Sequence, residues 1–248
     1  MNNYYDNEQF FEKYSQMNRS VLGLEGAGEW KTLEPMLPDF SGKSVLDLGC
    51  GFGWHCLYAA QHGAKQVRGI DLSQKMLHVA AEKIAQAGLE EVISLEQGSM
   101  EAVFLPENTY DVVLSSLALH YVADFAAICR KVFSSLKPGG SFVFSVEHPI
   151  FTAYGNQDWL YDSNGTILCW PVDHYFLEGE RQAVFLGETI QKQHKTLTTY
   201  LHTLLSEGFQ IVDVQEPQPP QEMMHLPGMA DELRRPMMLL VSAKHPSV

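Results

Sequence analysis

"VLDLGCGFGWHCLYAAQHGAKQVRGID" (residues 45–71) carries Gly49, Gly51 and Gly53 at every second position, with Asp47 just ahead of them and Asp71 about twenty residues on. "SVLDLGC" reads as an apolar strand, "WHCLYAAQH" as a helix stopped by Gly63 at C′, and "QVRGIDL" as a second strand. A chain leaving a strand for a helix must turn sharply. Glycine permits positive φ there and lets a ligand approach the backbone. The crevice beyond the strand ends is where open α/β sheets bind ligands. An acid closing the second strand can accept hydrogen bonds from both ribose hydroxyls, and its charge disfavours a 2′-phosphate. The alternative is structural: the glycines only make a tight turn, and Asp71 caps the next helix. Strand, glycine turn, helix, strand and terminal acid within one βαβ unit favour a nucleoside-bearing ligand.

The same rhythm continues outward. "SQKMLHVAAEKIAQA" puts Met76, Ala80, Ile84 and Ala87 on one helical face, with Ser73 as N-cap and Gly88 as stop. "VISLEQ" and "YDVVLSSLAL" are strands three and four. "DFAAICRKVFSSL" spaces Phe125, Ile128, Cys129, Val132 and Leu136 as one buried stripe, "KPGG" turns, and "SFVFSVEH" is strand five. Near-continuous apolar strands suit a sheet covered on both faces. After His148 the alternation breaks. The aromatic-rich residues 149–193 read as an inserted β-hairpin layer or long loop. "KTLTTYLHTLLSEGF" is a last helix, and "QIVDVQEP" and "MMLLVSAK" are two final strands. The expectation is an α/β, doubly wound, mostly parallel seven-stranded sheet in one domain. A helical cap spans 1–43, the cofactor core 44–148, the insertion 149–193, and the last helix and strands 194–248.

With 248 residues and 45% hydrophobic content, the chain can bury a sizeable core. A net charge of −13 argues against non-specific binding to nucleic acid or to an anionic membrane surface. Cys50, Cys56, Cys129 and Cys169 are scattered with no CxxC, which fits reduced thiols in a cytoplasm. The polar opening "MNNYYDNEQFFEKY" predicts no signal peptide, and no apolar run approaches 18 residues. No His or Cys pair stands at metal-ligand spacing, so no metal is expected.

Three details separate S-adenosyl-L-methionine from NAD. The spacing is G-x-G-x-G, whereas G-x-G-x-x-G seats a pyrophosphate on a helix N-terminus. Asp47 would repel a pyrophosphate but attract an amino-acid ammonium. A terminal strand pair after the last helix is unlike the usual dinucleotide domain. With these residues assembled, the chain resembles the class I S-adenosylmethionine-dependent methyltransferases, closest to the small-molecule and uncharacterised bacterial members with a "VLDLGCGxG" signature. The motif-level likeness covers about residues 44–147, and 196–244 follow by architecture.

The resemblance implies that backbone from Gly49 through Cys50 and Gly51 to Gly53 cradles the methionine part. It puts Asp71 on the ribose and Leu72 against the adenine, and Met76 joins the cofactor-binding set. In "QGSMEAVFLPENTYDVVLSSLALHYV", many relatives carry an adenine-binding aspartate where this chain has Ser99, beside Met100 and Glu101. Ser116, Leu117 and His120 follow strand four at the cofactor and substrate edge. Tyr14 and Arg19 are the candidates for the methionine carboxylate. The product would be S-adenosyl-L-homocysteine.

On the acceptor side, a sulfonium methyl is already activated, so the protein mainly aligns the reactants and excludes water. A hydroxyl or ammonium acceptor also needs a base. "SVEHP" sets Glu147 and His148 at the rim of strand five, opposite His120: the histidines as base, Glu147 as a substrate anchor. The alternative is structural: each histidine caps a strand end or donates a hydrogen bond to the pocket. Tyr154, Trp159, Tyr161, Trp170, Tyr175 and Phe176 in the insertion form either a wall for an aromatic or cationic acceptor, or plain core. The expected partner is a small-molecule methyl acceptor at oxygen, nitrogen or carbon. A homodimer arises if the insertion covers a second subunit rather than the site. The absence of "NPPY" or "DPPY" after strand four lowers RNA or protein methylation. An NAD-dependent oxidoreductase and a non-catalytic cofactor-binding module are the rival readings.

Overall fold

A computed structural model describes residues 3–247. The N-terminal segment holds a 3₁₀ turn (Tyr4–Asp6) and helices α1 (Glu8–Ser15), α2 (Asn18–Val21) and α3 (Trp30–Leu33). The core follows as β1 (Ser44–Leu48), α4 (Trp54–Gln61), β2 (Gln66–Asp71), α5 (Gln74–Ala87), β3 (Ile93–Gln97), β4 (Tyr110–Ser116), α6 (Phe125–Ser135) and β5 (Leu136–Glu147). Next come α7 (Pro149–Ala153), the short β6 (Leu160–Tyr161) and β7 (Ile167–Cys169), and the longer β8 (Gly179–Phe185) and β9 (Glu188–His194). The chain ends in α8 (Leu197–Ser206), β10 (Gln210–Gln215) and β11 (Met238–Lys244).

One seven-stranded sheet runs β10-β11-β5-β4-β1-β2-β3, parallel except for β11, which is antiparallel to both neighbours. This is the expected α/β architecture. Every residue of β1 is buried, because the strand lies between β2 and β4 with helices on both faces. Its two-residue period splits the core: Leu46 and Leu48 join the cluster under α6 and α8, and Val45 joins the one under α4 and α5. Gly69, level with Asp47, has its Cβ position filled by the sulfurs of Cys50 and Cys56, at 3.0 and 2.9 Å.

The helix ends follow local chemistry. Ser73 Oγ accepts from Met76 N at the start of α5, and Gly88 ends that helix at φ +66. Two details differ from the pattern read along the chain. The spacing of residues 4 to about 19 predicts a helix, yet Asn7 stops the 3₁₀ turn and N-caps a separate α1 through Phe10 N. "KPGG" lies within β5 rather than before it. Gly139 N donates to His245 O and Gly140 O accepts from His245 N, so the turn pairs with the chain beyond β11.

The insertion holds α7 and two hairpins. β8–β9 lies on the N-terminal segment: Ala183 and Ile190 share a cluster with Phe10, flanked by Tyr5, Tyr14 and Phe185. That contact closes one side of the crevice at the strand ends. No helix among the described residues is long and apolar enough to cross a membrane.

Candidate active site

The glycine elbow is fastened to the end of β2. Gly49 N and Cys50 N both donate to Ile70 O, at 2.8 and 3.0 Å. Gly49, Gly51 and Gly53 have φ of +78, +53 and +74, the left-handed region that glycine enters without strain. A Cβ on Gly49 would lie 2.4 Å from Ala118 Cβ, and one on Gly53 3.1 Å from Ala80 Cβ. A Cβ on Gly51 would meet nothing within 4 Å. Gly51 borders a cavity of about 620 Å³, and a side chain there would enter it. The elbow is open on the cavity side, as a cofactor lying against backbone requires.

Asp71 does two things. Its Oδ2 accepts from Gly51 N at 2.8 Å and its Oδ1 from Ser73 N at 2.9 Å, so it braces the elbow and the entry to α5. The cap itself is Ser73. Asp71 also lines the cavity, and each carboxylate oxygen keeps a lone pair for a further donor. Burial raises its pKa, against the pull of the Ser73 and Gly51 N–H groups.

Tyr14, Arg19, Gly49, Leu72, Met76, Met100, Ser116 and Leu117 line the same cavity. Arg19 Nη2 donates to both oxygens of Glu29, at 2.6 and 2.7 Å. Leu117 sits at φ +50, held by its N–H to Ser145.

Four of the cofactor-binding candidates do not line it. Asp47 points to the other face of β1, where its Oδ2 accepts from the Cys56 thiol at 3.4 Å and its Oδ1 is buried without a partner. Burial pushes this carboxyl up to about 7. An ammonium-binding Asp47 does not fit that orientation. Cys50 turns its sulfur toward Gly69. Gly53 serves close approach of α4 to α5, and Ser99 Oγ accepts from Glu101 N in a turn.

Across the cavity, side chains from distant sequence converge. Glu147 Oε1 accepts from Lys192 Nζ at 2.5 Å, and Glu147 Oε2 from Gln157 Nε2 at 2.6 Å. Lys192 Nζ donates to Gln157 Oε1 at 2.8 Å, closing the ring. Burial would raise the Glu147 carboxyl, but His120, Lys192 and Gln157 together hold it below the ordinary range. His120 Nδ1 accepts from Glu147 N at 3.3 Å, which assigns its proton to Nε2. Burial takes this imidazole down to about 4, so it is neutral at physiological pH.

His148 stands apart from the cavity. Its Nδ1 accepts from Ile150 N, making it the N-cap of α7 ahead of Pro149, and its Nε2 lies 2.7 Å from Glu216. It does not face a substrate. The insertion's tryptophans are also turned elsewhere. Arg235 lies 4.4 Å from the Trp170 ring centre, 5.1 Å from Trp159 and 4.6 Å from Phe151. The aromatic cage is filled by the chain's own guanidinium, and of these rings only Phe151 lines the cavity.

Tyr5, Tyr121, Gln157 and Lys192 border the cavity and escaped the sequence reading. Lys192 had a usable signal. In "ETIQKQH" it falls in phase with Ile190 and His194, and all three are buried on one face of β9.

Residues 46–144 match the family described as a methyltransferase domain. Among solved structures, a Listeria monocytogenes protein assigned as an S-adenosylmethionine-dependent methyltransferase is 57% identical. It superposes with a TM-score of 0.85 over 91% of this chain and 100% of its own. An S-adenosylmethionine-dependent methyltransferase from Mesorhizobium loti is 44% identical, with a TM-score of 0.80 over 90% and 100%. An uncharacterised Haemophilus influenzae protein is 32% identical over 243 residues, covering 97% of this chain and 96% of its own.

Proposed function

Because the chain belongs to the S-adenosylmethionine-dependent methyltransferases, we propose that its acceptor is a small molecule held between Glu147, His120 and Phe151. One observation carries this reading: the acceptor side of the cavity is roofed by β8–β9 and the N-terminal segment, which meet through Phe10, Ala183 and Ile190. A volume of about 620 Å³ falls in the range of pockets for small ligands. The net charge of −13 makes a nucleic-acid acceptor a poor match.

The cofactor, when bound, supplies a methyl group activated by its positive sulfur. In this reading the Gly49–Gly51 backbone and Asp71 hold the nucleoside and methionine parts, Leu72 and Met100 flank the base, and Arg19 with Tyr14 meets the amino-acid carboxylate. His120 presents an Nε2–H as a donor to the acceptor, because its Nδ1 is occupied by the Glu147 N–H. Glu147, locked by Lys192 and Gln157, stays anionic and accepts a hydrogen bond from an acceptor O–H or N–H. Neither group is arranged to pull a proton from an alcohol. The residues favour an acceptor whose attacking atom already has a free lone pair and that also carries a donor for Glu147, such as a neutral amine. Catalysis then rests on alignment and exclusion of water.

The test is transfer of a tritiated methyl group from labelled cofactor in the presence of a cell extract, separated afterwards by size. Label in the low-molecular-weight fraction supports the reading. Label confined to protein or RNA overturns it.

A further inference from the structure

Three tyrosines stand where the two sides of the cavity meet. Tyr5 and Tyr14 come from the N-terminal segment and Tyr121 from the turn after β4, and all three line the cavity. Tyr5 meets Tyr14 edge-on, with ring centres 5.3 Å apart, and Tyr121 edge-on at 6.3 Å. The Tyr5 and Tyr121 hydroxyls lie 3.0 Å apart and share a hydrogen bond. Tyr14 also contacts Phe52, inside the glycine elbow, edge-on at 5.8 Å. The fold gathers these rings from opposite ends of the sequence and fixes their orientation.

Their surroundings locate them along the cofactor. Tyr5 and Tyr14 feel the charge of Asp71, Tyr14 also that of Arg19, and Tyr121 that of Glu147. In the placement proposed above, on which this inference rests, Asp71 marks the ribose end and Arg19 the amino-acid end. In S-adenosylmethionine the sulfonium is the atom joining those two ends. Glu147 marks the acceptor side, toward which the methyl must point. A cation within about 6 Å of a tyrosine face is attracted to the ring, and the attraction grows when water is excluded. Burial keeps the Tyr5 and Tyr121 hydroxyls protonated well beyond neutral pH, so the attraction comes from neutral rings.

We propose that Tyr5 and Tyr121, steadied by Tyr14, form a recognition site for the sulfonium, distinguishing charged cofactor from uncharged product. On transfer, the acceptor's lone pair forms the new bond to the methyl carbon, and the electrons of the broken C–S bond remain on sulfur. The sulfonium becomes a neutral thioether, and the rings lose their cation. Turnover thus weakens the grip on S-adenosylhomocysteine.

The experiment is calorimetric titration of the full chain with S-adenosylmethionine and with S-adenosylhomocysteine, reading the ratio of their dissociation constants. Tyr5→Leu or Tyr121→Leu should weaken the charged ligand selectively, shifting the ratio by roughly threefold to thirtyfold. Tyr121→Phe, which keeps the ring, should leave the ratio within about twofold. Equal weakening of both ligands by leucine overturns the proposal. Should leucine disturb folding, a phenylalanine series at position 121 with increasing ring fluorination keeps the shape while draining charge from the face. A stepwise change in the ratio supports the site, and a flat series overturns it.

Discussion

Along β1 and β2 the cavity wall is mostly backbone. Two positive-φ glycines, Gly49 and Gly51, and the Asp71 carboxylate make it, and the Gly49 and Cys50 N–H groups on Ile70 O hold the elbow in place. Along the insertion the wall is side chain. Glu147, Gln157 and Lys192 span 45 residues and hold one another by charge. The first wall is shaped by conformational permission, the second by a buried ion pair that has meaning only once the chain is folded. Where the cofactor side is open, at Gly51 and Asp71, it should therefore fail through binding, and the acceptor side through stability.

The sharpest break is Lys192→Met. With Lys192 2% exposed, its removal leaves the Glu147 carboxylate without its cation, hydrogen-bonded through Oε2 to Gln157 alone. A loss of about 3–5 kcal/mol in unfolding free energy is expected by urea titration. Glu147→Gln added to Lys192→Met should recover much of that loss, because no lone charge remains. A single variant with the original midpoint would mean the pair contributes nothing.

Within the elbow, two glycines should part company. Gly49→Ala drives a methyl to 2.4 Å from Ala118 at a φ of +78. It is expected to lose roughly 2–4 kcal/mol of stability through overpacking and strain. Gly51→Ala meets no protein atom within 4 Å, so it carries only the backbone strain of an alanine at φ +53, about 1–2 kcal/mol, while cofactor affinity falls at least about tenfold, roughly the 1.4 kcal/mol of one lost contact. Equal behaviour of the two variants, by calorimetry and thermal melting, would erase the distinction.

The smallest effect is a pH slope. Folded Asp47 holds its proton up to about 7, against 3.8 for an ordinary aspartate. A raised pKa gives stability that is complete below the unfolded value and drains as pH climbs through the folded one. Asp47→Asn removes that drain. Between about pH 5 and about pH 7.5 the variant's melting temperature should fall less than that of the unaltered chain, and parallel slopes would contradict the assignment.

The same contrast explains what could be read in advance. The sheet, the elbow and Asp71 were legible because strand burial and glycine φ are local properties of contiguous residues. Asp47 was misplaced by treating the motif as one surface, although strand alternation sends it to the face opposite Leu46 and Leu48. His148 was read as a rim base, yet "HP" is equally a helix start, with Pro149 at the first helical position. Trp159 and Trp170 could not be resolved from their own neighbourhood, because the cation they enclose, Arg235, lies more than sixty residues away. Tyr5 and Tyr121 escaped for the same reason, standing 116 positions apart.

The most direct measurement of the central claim is a titration of S-adenosylmethionine into the unaltered chain and into Asp71→Asn. The expected result is one saturable site, weakened roughly tenfold to a hundredfold in the variant, the scale of a lost charge-assisted hydrogen bond. Binding that is absent from the unaltered chain, or unchanged when the carboxylate becomes an amide, would contradict the claim that Asp71 and the open elbow hold the cofactor.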